Sequence, residues 1–362
     1  MKSPMIGDLA ASQNIHGVFL VQSKEVRQKK SGDPYLSLVL VDGSGTIEAK
    51  MWDNVGTVMD TFEVDDFLRV KGETQVYQSR LQLTIYSMQR EPDADVTLAD
   101  FLPASKRDPN EMLAEVLALV AAMKNLHLRA LLEAIFNDPE IASRYKLAPA
   151  AKGIHHAWLG GLIEHVLSLC GLARFMAIHY PSLDEDLLLA GVLLHDIGKI
   201  TELNYTRSFS YSTEGGLLGH IQIGLRIIGE KLPPGFPPKL RNLLEHLVLS
   251  HHGQLEYGSP KLPVFAEALM LHHLDNLDSK MATMAASLDR DRPAAGEWTK
   301  YNAALERSFL DKQKYLSEKP AAVEAKPQST QSTQSKAPAK AVNRQSGFGQ
   351  AMLAAFDGTK ES

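Results

Sequence analysis

A single cysteine in 362 residues rules out an internal disulfide, and with it the small stapled scaffolds of secreted domains. Cys170 lies in the apolar stretch Val166-Leu-Ser-Leu-Cys-Gly-Leu172, where a core thiol is expected rather than a nucleophile. No apolar leader follows Met1, and no uncharged run reaches the roughly 18 residues of a membrane span. A reducing, cytoplasmic setting without a membrane is the expectation. Aromatic residues are few, at 7%, and an excess of positive charge is missing, with 38 Lys+Arg against 43 Asp+Glu. That balance excludes a chain that coats nucleic acid by bulk electrostatics but leaves room for a local basic groove.

Histidine is what the chain has in plenty: of 13, 11 fall between His155 and His273. The organisation around them is bipartite. From Ile15 to Arg90, short alternating runs predict five strands, Ile15–Lys24, Tyr35–Asp42, Thr46–Asp53, Phe67–Tyr77 and Leu81–Arg90. Asp42-Gly-Ser-Gly45 is expected as a tight hairpin, and Asn54–Phe62 as a short helix or crossover. Five strands so interrupted suggest an OB-type β-barrel over residues 1–92. Residues 93–110, with Pro92 just before and Pro103 and Pro109 inside, read as a linker. Residues 111–316 then take a helical period and are expected to form an all-α bundle. Its helices are placed at Glu111–Asn125, Leu128–Asn137, Gly160–His179, Asp184–His195, Gly219–Lys231, Pro238–Ser250, Val264–Leu288 and Glu297–Leu316. Residues 317–362, rich in Ala, Pro, Lys, Gln, Ser and Thr, read as a disordered tail. Its segment Gly347–Phe356 could dock as one amphipathic helix on a protein partner or have no role.

Leu193-Leu-His-Asp-Ile-Gly-Lys199 delivers adjacent His195 and Asp196 at a helix end, where the carboxylate can bridge two cations and the imidazole bind one. Its companions at helical positions are His165, His220, His251, His252 and Asp275. Any one of these is more often a core or surface residue than a ligand. Several helices each offering one inward imidazole or carboxylate is, jointly, how a bundle builds a dinuclear site. The mixed N/O set suits Mn, Fe, Co or Zn better than Mg or Ca. Two cations about 3.5–4 Å apart would acidify a water and neutralise a phosphodiester's equatorial oxygens, with no nucleophilic side chain required. Lys199 suits a phosphate oxygen or, equally, an ordinary helix C-terminus. His155 and His156 suit the mouth of the site, with protonation of a leaving oxygen, or a cap on the Gly160-Gly161 turn. On the barrel, Phe19, Tyr35, Trp52, Tyr77 and Tyr86 lie on strands among basic residues. Strand alternation buries about half of them, and Tyr35, Trp52 and Tyr77, with Lys50 and Arg80, are the expected nucleic-acid contacts.

The order His165, His195-Asp196, His220, His251-His252, Asp275 resembles the HD-domain metal-dependent phosphohydrolase pattern, in its form with extra histidines for a second metal. More narrowly, the chain resembles the YhaM family of 3′-to-5′ exoribonucleases, which join an OB fold to an HD domain. The matching stretches are Tyr35-Leu-Ser-Leu38, Ile47–Asp53, His155–His165, Leu194–Lys199, His251–Pro260 and Leu271–Lys280. The resemblance implies that His165, His195, Asp196 and Asp275 hold one metal and that Asp196 bridges to a second, held by His220 and by His251 with or without His252. Neighbours on a helix point about 100° apart, so both readings of that pair stay open. His246 is expected to be structural or to support a ligand. Gln254-Leu-Glu-Tyr-Gly-Ser-Pro260 departs from the Gly-Tyr-Pro element of cyclic-dinucleotide HD hydrolases, which weakens a signalling role. The implied activity is release of nucleoside 5′-monophosphates from single-stranded RNA, with single-stranded DNA left open, using two divalent ions, manganese first. A homo-oligomer is compatible with this. Two competing readings are a phosphohydrolase of small nucleotides and a single-strand-binding factor with a vestigial HD site.

Overall fold

Alternation decides the first quarter of the chain. In a computed structural model describing residues 4–78, 80–153, 156–292 and 296–317, Leu36, Leu38 and Leu40 are buried while Tyr35, Ser37 and Val39 face outward. The strands are β1 (Asn14–Gln28), β2 (Pro34–Asp42), β3 (Gly45–Met51), β4 (Phe67–Tyr77) and β5 (Arg80–Arg90). They close into a barrel in the order β1-β2-β3-β5-β4, with β3 and β5 parallel and the other pairs antiparallel. β1 runs past the expected Lys24 because its pairing with β2 continues to Gln28 opposite Pro34. β3 stops at Met51, before the expected Asp53. Asn54, at φ 58°, then turns the chain into the one-turn helix α1 (Val55–Val58).

The bundle comprises α2 (Pro109–Ala121), α3 (Leu126–Phe136), α4 (Pro139–Leu147), α5 (Gly161–His179), α6 (Glu185–Leu194), α7 (Lys199–Glu202), α8 (Thr213–Lys231), α9 (Pro238–Ser250), α10 (Ala266–Asp291) and α11 (Lys312–Leu316). Asp108, Asn125, Asp138 and Asp184 cap their helices with side-chain acceptors, and Pro109 and Pro139 take first-turn positions that need no amide proton. α5 is the helix, among the described residues, that is long and apolar enough to cross a membrane; here Leu162, Ile163, His165, Val166 and Leu169 are buried in the bundle.

Four expectations need correction. α4 was not foreseen, although Asp138-Pro139 is a cap and first-turn pair. A small hairpin of β6 (Leu203–Asn204) and β7 (Ser210–Tyr211) interrupts the supposedly all-helical region, and α8 starts at Thr213, capped by Ser212 and kinked at Gly219. The helix expected over Glu297–Leu316 reduces to α11. The side chains of Asp291, Asn302 and Thr299 take the backbone amides of Lys300, Leu305 and Phe309, and this competes with helix formation. The stretch 93–110 is no loose tether. Phe101 packs on Phe67 at 4.7 Å between ring centroids, Leu102 is buried with Leu20 and Leu159, and Ala104 bridges to Leu159. The expected tail from residue 318 on, including Gly347–Phe356, and His155 lie outside the described residues.

Candidate metal centre and nucleic-acid face

His195 and His251 stand at the C-caps of α6 and α9, where the last carbonyls of a helix lack intrahelical partners. Each ring donates its Nδ1–H to such a carbonyl three residues back, His195 to Val192 at 2.9 Å and His251 to Val248 at 2.7 Å. The other imidazoles are held in the same sense. His165 Nδ1 donates to Asp278 Oδ2 at 2.8 Å, His220 Nδ1 to Glu202 Oε1 at 3.1 Å and His252 Nδ1 to the Tyr257 carbonyl at 2.9 Å. With Nδ1 spent, each ring turns Nε2 inward as its remaining ligand atom.

Those atoms gather around neighbouring carboxylates. Asp196 Oδ2 lies 3.3 Å from His195 Nε2, and Asp196 Oδ1 lies 3.4 Å from His220 Nε2 and 3.7 Å from His251 Nε2. Asp275 Oδ1 lies 3.3 Å from His165 Nε2 and 3.9 Å from His195 Nε2. Ligand atoms therefore converge in two groups beside Asp196, His165 with His195 and Asp275, and His220 with His251 and His252, while a third, His156 with His165 and Asp278, lies behind the first. Both adjacent histidines thus reach the second group. His195 Nε2, Asp196 Oδ1, His220 Nε2 and His251 Nε2 are buried without a hydrogen-bond partner. Burying such acceptors costs free energy unless something binds them, and the donor set fits divalent transition-metal ions.

Charge follows the same geometry. Burial alone would raise the Asp196 carboxyl, but Lys199, His195 and His220 outweigh it and hold it well below the usual carboxylate range. Burial would lower His165, yet the carboxylates of Asp275 and Asp278 push it up to about 9. His251, although Asp196 lies 3.7 Å away, is driven well below its ordinary value, chiefly by burial and by the like charge of His195, so it stays neutral. The Cys170 thiol, pushed up to about 12 by burial, is the inert core residue expected.

Two glycines let the ligand-bearing segments meet. A Cβ on Gly198, in the His-Asp-Ile-Gly-Lys motif, would fall 1.9 Å from the His220 carbonyl oxygen, so only glycine lets α7 touch α8 there. Gly253, at φ 78°, leaves no room either: its Cβ would lie 2.2 Å from the His272 ring.

Several residues stand elsewhere than expected. Lys199 opens α7 instead of closing a helix, and its largely buried Nζ donates to Asp196 Oδ2 at 2.6 Å. His156, at φ 46°, is buried with Nε2 3.2 Å from Asp278 Oδ2, behind His165 instead of at the mouth of the site. His246, by contrast, takes one of the two roles expected of it, the structural one, its Nε2 accepting the Val264 amide at 3.3 Å. Sequence reasoning missed Asp278, Ser168 and Glu202; Asp278 takes His156, His165 and the Ser168 hydroxyl, which donates to its Oδ1 at 2.5 Å. A cavity of about 200 Å³ opens over Asp196, Lys199, His251, His252 and Asp275. A larger one, about 600 Å³ between α2, α5 and α6, touches none of the predicted site residues.

On the barrel, Phe19 is core, whereas Tyr35 and Trp52 stack with ring centroids 4.6 Å apart and planes at 25°. Lys50 Nζ lies 5.8 Å from the Trp52 ring and 5.4 Å from that of Tyr77, which is exposed. Arg80, also exposed, pairs loosely with Glu48 at 4.0 Å. These residues share the outer β2–β3 face beside the β4–β5 turn, the surface by which OB barrels engage oligonucleotides.

Family comparisons agree with both halves. Residues 162–280 match the HD domain and residues 21–90 an OB-fold nucleic acid binding domain. The second OB-fold domain of replication protein A from Methanococcus maripaludis is similar over 24% of this chain and 90% of its own, at 23% identity and a TM-score of 0.19. The 3′-5′ exoribonuclease YhaM of Bacillus velezensis is 39% identical over 302 residues, 82% of this chain and 94% of the relative. The YhaM of Bacillus subtilis strain 168 matches with the same identity and coverage. At that identity and coverage, the chain belongs to the YhaM 3′-5′ exoribonuclease family.

Proposed function

We propose that this protein is a metal-dependent 3′-to-5′ exoribonuclease that hydrolyses single-stranded RNA to nucleoside 5′-monophosphates at the Asp196 centre. The observation that carries the reading is the set of imidazoles that spend Nδ1 on carbonyls and carboxylates and turn Nε2 to the neighbouring carboxylates of Asp196 and Asp275. His165, His195 and Asp275 would hold one ion, and His220, His251 and His252 the other, with Asp196 shared. When bound, such ions supply an acidified water and neutralise charge developing on the phosphoryl oxygens. The chain's part is to fix the lone pairs, through Asp278 and Glu202, so that little reorganisation accompanies reaction. Burial would lower the Lys199 ammonium, but Asp196 keeps it charged; it lines the cavity beside that carboxylate, where it would steady a phosphate oxygen. His156 positions Asp278 and is not a proton donor to the leaving group. Tyr35, Lys50, Trp52, Tyr77 and Arg80 would guide the single strand by stacking and phosphate pairing.

The test is digestion of 5′-labelled single-stranded RNA with Mn²⁺, comparing wild type with the His195→Ala/Asp196→Ala double variant. A 3′-phosphorylated RNA and a DNA of the same sequence run alongside. We expect a ladder shortening from the free 3′ end, abolished in the variant. Intact RNA from a fully metal-loaded protein would overturn the reading in favour of a small nucleotide substrate.

A further inference from the structure

A second cavity, of about 250 Å³, adjoins the centre on the far side of Lys199. Its walls include Ala150, Lys152, Lys199, Glu202, Tyr211 and His220. Lys199 also lines the cavity over Asp196, so one ammonium is common to both chambers. The position of Tyr211 follows from the chain path. α7 ends at Glu202, β6 and β7 form the hairpin, and Ser212 caps α8, which carries His220; Tyr211 is therefore set between two segments that build the centre. Its ring is 56% exposed, large for an aromatic with this much apolar surface, and the cation above it, Lys152 Nζ, lies 5.9 Å from its centroid. Ala150 and Leu203, both buried, add apolar surface to the chamber's lining.

A flat exposed ring, a lysine over its face and a metal-ligand imidazole at the inner end form a platform for a base with a place for its phosphate. The volume suits one nucleoside and not two. We propose that this chamber receives the base and ribose of the 3′-terminal nucleotide, stacked on Tyr211, while its 5′-phosphate reaches Lys199 at the edge of the Asp196 centre. The assignment deepens the exonuclease reading and rests on it.

The experiment uses the full, Mn²⁺-loaded protein and RNAs whose last linkage is a phosphorothioate, carrying 2-aminopurine either at the 3′-terminal position or five nucleotides inside. We expect terminal fluorescence to be quenched on binding to wild type and to Tyr211→Phe. In Tyr211→Ala the terminal quench should be lost, and in Lys152→Gln terminal affinity should weaken several-fold; the internal probe should be indifferent to all three. The Michaelis constant of Tyr211→Ala on ordinary RNA should rise about tenfold or more, the scale of one lost stack. Wild type that shortens RNA but shows no terminal quench, or a Tyr211→Ala protein that keeps it, overturns the chamber alone. Wild type that leaves RNA intact overturns the exonuclease reading and the chamber with it.

Discussion

At the scale of single residues, the centre depends as much on what holds the histidines as on the histidines. Asp278 accepts from three groups, and His156, His165 and Ser168 outweigh its burial and keep it far below the usual carboxylate range, so it is an anion at any working pH. We expect Asp278→Asn to fold but to bind Mn²⁺ about 10–100-fold more weakly, as measured by competition with a chelator. Unchanged metal affinity with a lowered melting temperature would reduce Asp278 to a packing residue. The sequence made Asp275 legible and Asp278 not. Both lie on α10, three residues apart, and only packing reveals that one meets Nε2 and the other Nδ1 of the same His165 ring. His156 misled for a similar reason, since a histidine beside a glycine turn gives no sign of which way its ring goes.

At the scale of elements, the β6–β7 hairpin is the part that pattern reading had least chance of finding, because two-residue strands carry no period. Its loop nevertheless straps the bundle to the barrel: Arg207 donates to Asp66 at 2.8 Å and to Asp93 at 2.6 Å, and Arg90 pairs with the same Asp66 at 3.0 Å. Burial raises the Asp66 carboxyl, but the Glu63 amide and the two arginines outweigh it and hold it below its ordinary value. A carboxylate depressed by folding stabilises above its unfolded value and loses that contribution as pH falls through the folded one. Wild type should therefore keep its strap from neutrality down to about pH 4 and release it in stronger acid. Arg207→Ala should lack it already at pH 7. Limited proteolysis between residues 93 and 110 measures this, and equal cleavage of both proteins across that range would refute it. In the neighbouring helices, Gly198→Ala should be far more damaging than an exposed glycine change, since its methyl would collide with the His220 carbonyl and part α7 from α8. Loss of Mn²⁺ binding by that variant, with circular dichroism retained, is the expected result.

At the scale of the molecule, the strand pattern, the helical period and the histidine order made the two-part architecture readable, and with it most of the side chains that gather around Asp196. The seam between the parts was not readable. Phe101 and Leu102 lie among prolines and aspartates, a composition that signals a linker, and their partners Phe67, Leu20 and Leu159 come from both parts. Trp52→Ala on the barrel face should raise the Michaelis constant for long single-stranded RNA several-fold while leaving the turnover number near wild type, because stacking there acts before chemistry. An equal fall in both would place Trp52 in the catalytic step.

The apolar seam of Leu20, Phe67, Phe101, Leu102 and Leu159 also turns the molecule into a ruler. With the barrel braced against the bundle, the path from the stacked Tyr35–Trp52 pair to Asp196 is one length, not a distribution. Degradation rate against substrate length should then show a step, with RNAs too short to span the path abruptly losing what the barrel contributes. A smooth decline would mean that the seam slides.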